Sequence, residues 1–160
     1  MKKLSVALSA VLLATSVSAL SQGVGAGQGK DNHAHHAHAA HGITSAPKGA
    51  AVYFVSPVDG ATVGKKLNVV FGLKNMGVSP AGIEKKNTGH HHLLIDTDEM
   101  PDLTKPLPAT DKIKHFGGGQ TETEITLSPG KHTLQLVLGN HLHIPHDKPV
   151  MSKKITVYVK

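Results

Sequence analysis

Histidines are the residues of this sequence whose type and spacing could do chemistry. The 160-residue chain holds 13 of them, and most lie in short clusters. His90, His91 and His92 are consecutive, while His141 and His143 are separated by one residue. Because neutral imidazole is a good ligand for zinc, copper and nickel, these clusters indicate a transition-metal site. The metal-ligand candidates are His90, His91, His92, His115, His141, His143 and His146.

The triplet opens a segment with a Leu93-Leu94-Ile95 centre, which is typical of a β-strand. Alternate side chains of a strand point to the same face, about 7 Å apart. This spacing predicts that His90 and His92 converge on one ion and that His91 points away. His115 precedes a run of three glycines, which allow close backbone approach.

Six segments have the composition of strands, and turn residues separate them. They are residues 51–55, 67–73, 90–96, 121–127, 132–138 and 154–159. Residues 100–120 are rich in Pro and Gly, so we expect them to be mostly irregular. This pattern predicts an all-β fold, an immunoglobulin-like antiparallel β-sandwich of about seven strands.

That fold predicts where the histidine segments meet and what role His132 has. Loops after alternate strands gather at one end of a sandwich, so the triplet, the glycine loop after His115 and the segment after Leu138 are expected to meet there. His132 follows a Pro129-Gly130 turn. Many such sandwiches place a Tyr there that bonds back to the corner, so a structural role is predicted for His132.

The amino-terminal residues 1–19 have the features of a signal peptide: two lysines, a short apolar run and a Val17-Ser18-Ala19 cleavage pattern. They predict export to the periplasm and, because the apolar run is shorter than the roughly 20 residues of a spanning helix, no membrane span after cleavage. Residues 20–50 have the composition of a disordered, His-rich tail or linker, followed by a β-sandwich domain at 51–160. The tail is predicted to bind metal with low affinity through His33, His35, His36, His38 and His41.

Several function classes are excluded by composition. The chain has no Cys, which removes thiolate metal sites and cysteine nucleophiles, and no Arg. With aromatic residues at only 3%, it lacks the features of a nucleic-acid partner surface. The HExxH and GxSxG motifs are absent, and no Glu stands beside the histidines as a general base. No catalytic residue is assigned, and a non-enzymatic role is favoured.

Distinctive motifs occur in five segments, residues 87–96, 108–111, 115–122, 129–136 and 143–146. Together they resemble the DUF4399 family of exported bacterial domains of unknown function, and the similarity covers residues 52–159. This resemblance implies an exported, small single domain. It does not itself imply a metal.

Three functions stay open on the sequence. The first is a periplasmic transition-metal-binding protein, a carrier, buffer or chaperone for copper or zinc. The second is a structural or interaction domain of the cell envelope, with another envelope protein as partner and no obligatory metal. The third is a metal-dependent enzyme with an open coordination position.

Overall fold

The computed structural model describes residues 42–160, so the predicted signal peptide and the five tail histidines lie outside the described part. Nine β-strands form within it, without helices: β1 (Ala51–Ser56), β2 (Ala61–Val63), β3 (Lys66–Lys74), β4 (Gly77–Val78), β5 (Thr88–Ile95), β6 (Ile113–His115), β7 (Glu122–Thr126), β8 (Gly130–Gly139) and β9 (Ile155–Val159). No helix of these residues has the length and apolar character of a membrane span.

The strands form two sheets. One contains three strands in the order β1-β3-β7, and the other contains β2-β9-β8-β5-β4, with β6 also paired to β5. The order β1-β3-β7 matches that of strands A, B and E of immunoglobulin-like domains. The order β9-β8-β5 matches that of strands G, F and C in the facing sheet. The predicted all-β, immunoglobulin-like sandwich is confirmed.

The main core lies between the two sheets. Alternate residues of each strand are buried there, such as Leu67 and Val69 of β3 against Leu134 and Leu136 of β8. Strand β5 contributes Leu93 and Ile95 to this core. Its odd-numbered residues therefore point inward, and His90, His92 and Leu94 point to the outer face of the sheet.

The outer face of β5 and β8 is also covered. Leu94 and Val137 are buried there in a second apolar cluster with Leu107 and Ile113. These last two residues belong to the long connection between β5 and β7, which crosses this face. Because both faces of β5 are covered, all seven residues from Gly89 to Ile95 are buried, although the strand lies close to the end of the sheet.

Residues 42–50 lie outside the sheets but bond to the domain. The backbone N–H of Asp147 donates to the Thr44 carbonyl at 3.0 Å, and the Ser45 hydroxyl donates to the Asp147 carboxylate at 3.0 Å. The prediction of a tail that extends to residue 50 therefore differs from the structure over 42–50. Ala46 and Ala50 also pack against the main core. The segment is therefore held by hydrogen bonds and by some apolar contact, which its composition alone does not reveal.

His132 closes the corner between β7 and β8, as its position predicted. Its Nδ1 lies 2.6 Å from Asp96 Oδ2, and its Nε2 lies 2.9 Å from the Ser128 carbonyl oxygen. The other carboxylate oxygen of Asp96 accepts from the backbone N–H of Thr133 at 2.8 Å. The bond to Asp96, and secondarily the Ser128 backbone, raises the pKa of His132 above 6.5, although burial opposes this.

Replacing His132 with Ala should destabilise the fold by about 1–3 kcal/mol near pH 6. The variant loses the charge-assisted bond between His132 and Asp96, and Asp96 is left without this partner. A raised pKa means that the bond contributes fully below pH ~6.5 and that its contribution falls as the pH rises through the folded-state value. Urea unfolding of both proteins with a chelator present measures this. If the difference in the free energy of unfolding between the two proteins grows with rising pH, the stabilising bond of protonated His132 is contradicted.

Candidate metal centre

Four histidines from three segments come together on the outer face of the larger sheet. They are His90 and His92 of β5, His115 of β6, and His143 of the loop after β8, and one ring nitrogen of each lies within 4.8 Å of the others. No other group of three or more possible ligands occurs among the described residues. The structure therefore contains a histidine cluster that could hold a metal ion.

The sheet register places three of the four rings. His90 and His92 are two residues apart and share a face, with ring centroids 4.8 Å apart. In the antiparallel pairing of β5 and β6, His115 lies directly opposite His92, and their centroids are 5.1 Å apart. Directly paired residues of neighbouring strands point to the same face, so β6 adds a third imidazole beside the first two.

The fourth ring comes from a tight loop. Asn140 Oδ1 accepts hydrogen bonds from the backbone N–H groups of Leu142 at 2.8 Å and Ile144 at 3.1 Å. Within this loop His143 has a φ of 65°, a left-handed conformation that costs a non-glycine residue about 1 kcal/mol or more. The buried Asn140 side chain thus holds a strained residue whose ring points to the cluster, with Nδ1 of His143 3.2 Å from Nε2 of His90.

Glycine at position 139 leaves the space in which the rings meet. Gly139 pairs with His90 across the β5–β8 ladder. A Cβ atom there would lie 2.7 Å from His92 Cε1 and 3.2 Å from the His143 carbonyl. Any side chain at this position would therefore displace either a ring of the cluster or the loop that supplies His143.

Burial keeps the two central imidazoles neutral. His90 and His92 are fully buried. Desolvation, and then repulsion by His115, His143 and His91, lowers the pKa of His90 from 6.5 to about 4. Desolvation followed by repulsion from His90, His115 and His143 lowers the pKa of His92 to about 3. Neutral imidazole is the form that binds metal.

Three of the four nitrogens of the two buried rings also lack hydrogen-bond partners, whereas Nε2 of His90 lies 3.2 Å from Nδ1 of His143. In the described part of the chain, His90 Nδ1 and both ring nitrogens of His92 are buried without such a partner. A buried polar atom without a partner costs about 1–3 kcal/mol. A metal ion within the cluster would give one nitrogen of His92 a partner, so the donor chemistry of the site suits a cation.

The other predicted ligands are not part of the cluster. His91 points into the main core, where its ring lies 5.1 Å from that of Phe71. The Nδ1 of buried His146 lies 2.8 Å from the Thr44 hydroxyl oxygen. His146 and half-buried His141 line a separate pocket of about 520 Å³ with Thr44 and Lys86.

The family model described as a domain of unknown function, DUF4399, matches residues 69–160, a range that includes the whole cluster. The chain belongs to this family. The family assignment from the sequence motifs is confirmed, and it leaves the function of this DUF4399 domain open.

Among solved structures, the fibronectin(III)-like modules of Clostridium thermocellum CbhA are similar over 68% of this chain and 92% of that chain, with 13% identity and a TM-score of 0.33. No curated protein matches the chain. The sandwich assignment therefore rests on the strand order of this domain.

Without metal, the domain should lose stability as the pH falls from about 6.5 towards about 4. The unfolded chain takes up protons on His90, His91 and His92 in this range, whereas the folded chain does not, because burial lowers the pKa of all three. The pKa of His91 is lowered to about 4, with a partial offset from the Gln120 backbone. Each such histidine contributes up to about 1.4 kcal/mol per pH unit.

His91→Leu isolates one of these contributions, since it removes the ring that lies in the core and retains the cluster. The free energy of unfolding, measured with urea in the presence of a chelator, should rise less steeply with pH between about 4.5 and 7 than it does in the wild type. The difference in slope should correspond to about one proton. Equal slopes in the two proteins would show that buried His91 does not resist protonation.

Proposed function

We propose that this DUF4399 domain binds one transition-metal ion through His90, His92, His115 and His143. The observation that carries the proposal is the approach of four imidazole nitrogens to within 4.8 Å of one another. Ligands 2.0–2.1 Å from a tetrahedral ion are about 3.4 Å apart. The 3.2 Å hydrogen-bond distance between His90 Nε2 and His143 Nδ1 is close to this spacing. The other nitrogens lie within 4.8 Å, so some rings would have to move closer together around the ion.

The donor set favours copper or zinc. All four members of the group are histidines, with no carboxylate among them. The chain has no Cys, so a thiolate ligand is not available. Imidazole nitrogen suits zinc and copper better than it suits magnesium or calcium, which prefer oxygen.

A carrier, buffer or chaperone suits this ligand set better than an enzyme. Catalytic zinc sites generally use three protein ligands and leave a fourth position for water or substrate. Four imidazoles would fill a tetrahedral site, and the cluster includes no acid or base besides the ligands themselves. The proposed role is therefore to hold and exchange the metal.

The proposed compartment is the periplasm. This part of the proposal is supported by the signal-peptide features of residues 1–19. The His-rich tail would add low-affinity sites through His33, His35, His36, His38 and His41. An exported protein with both kinds of site would bind metal in a compartment that the cytoplasmic thiols do not reach.

The test is the metal content of the full-length protein after dialysis against zinc and, separately, copper. To remove the tail contribution, all the proteins compared have Ala at the five tail histidines. The parent should retain about one ion per chain, and His90→Ala/His92→Ala should bind more than about 100-fold more weakly, since two of four ligands are lost.

His141→Ala is the matched control, because His141 lies on the same loop as His143 but outside the cluster. A second double variant, His115→Ala/His143→Ala, tests the site with less risk to the fold, since neither residue is fully buried. If the parent and both double variants retain equal amounts of metal, the site is refuted and an interaction domain without obligatory metal is favoured.

A further inference from the structure

The fold divides the four histidines into a buried pair and an accessible pair. His90 and His92 are fully buried, whereas His115 is exposed and His143 is partly exposed. The buried pair lies in β5, which is paired to β8 on one side and to β4 and β6 on the other. The two pairs therefore differ both in access to solvent and in the structure that supports them.

The accessible pair lies on short elements at the margin of the domain. His115 ends a strand of three residues that pairs only with β5. Its ring lies over Gly117, where a Cβ atom would be only 2.3 Å from His115 Cε1. His143 belongs to the loop between β8 and β9. A displacement of either ring would leave the central ladder of β5 and β8 intact.

We infer, on the basis of the proposed function, that the metal moves to and from a partner through the edge formed by His115 and His143, by direct ligand exchange. The partner is a protein or small chelate that offers a nitrogen or sulfur donor. His90 and His92 would stay bound to the ion until last, because they are fully buried whereas His115 and His143 reach the surface.

Each exchange step is balanced in bonds. The incoming donor, a neutral nitrogen or a thiolate that has released its proton to solvent, would form one bond to the metal as the bond to His115 breaks, and the neutral ring of His115 would turn to solvent. The number of donors around the ion is the same before and after, and no electron is transferred. A second exchange at His143 leaves the ion bound by His90, His92 and two donors of the partner.

Two surface depressions adjoin His115. His115 borders one depression with Thr110 and Lys114, and a second with Phe116 and Ile125. The charges on this side are mixed, since Lys114 and Asp111 are neighbours here with 3.8 Å between Nζ and Oδ1. The donor atom, rather than net charge, would then select the partner.

The test follows transfer of zinc from the loaded full-length protein, with Ala at the tail histidines, to a chromogenic chelator in a stopped-flow instrument. If exchange is direct, the rate should rise in proportion to the chelator concentration. His115→Ala should transfer zinc about tenfold faster or more, because one ligand is already missing. His141→Ala should match the parent.

Two results would overturn the inference while leaving the proposed function intact. One is a rate that does not depend on chelator concentration, which would show that zinc dissociates before it is captured. The other is equal transfer from His115→Ala and His141→Ala, after urea unfolding has shown both to be folded. A parent that retains no zinc would instead refute the proposed function, and the exchange route with it.

Discussion

The burial of both faces of β5 is the constraint on which the rest of the structure depends. A strand points alternate side chains to opposite faces, so a His triplet within it must place polar rings on both sides. His91 enters the main core beside Phe71. His90 and His92 are fully buried on the outer face. Imidazole is costly to bury without partners. On the outer face, three further features of the fold bring His90 and His92 together with two more histidines.

These features act together. Strand β6 brings His115 opposite His92, the absent side chain of Gly139 leaves space between the rings, and the Asn140 loop holds His143 in a left-handed conformation. Asn140 also donates to the Gly42 carbonyl at 2.6 Å, so the segment at 42–50 is fastened to the same loop. Packing and backbone strain thus lead to one result, four imidazoles that face one another. Burial lowers the pKa of three of them, His90, His92 and His115.

Part of this site could be predicted from the sequence. Strand alternation predicts that His90 and His92 share a face and that His91 does not, and the sandwich topology predicts that distant segments meet. Strand β6 was not predicted, because three residues within a region rich in Pro and Gly show no alternation. The choice of His143 over His141 and His146 was not predictable either. It depends on a turn that the Asn140 side chain holds through local bonds to Leu142 and Ile144, and Asn140 is itself positioned by bonds to the distant Gly42 and Thr44.

We propose that imidazoles from three segments bind one ion, and X-ray absorption spectroscopy of the zinc- or copper-loaded protein with Ala at the tail histidines would detect them. We expect about four nitrogen neighbours at 2.0–2.1 Å, with the outer-shell scattering of imidazole carbons. A first shell made mainly of oxygen, or one with fewer than three imidazoles, would contradict it.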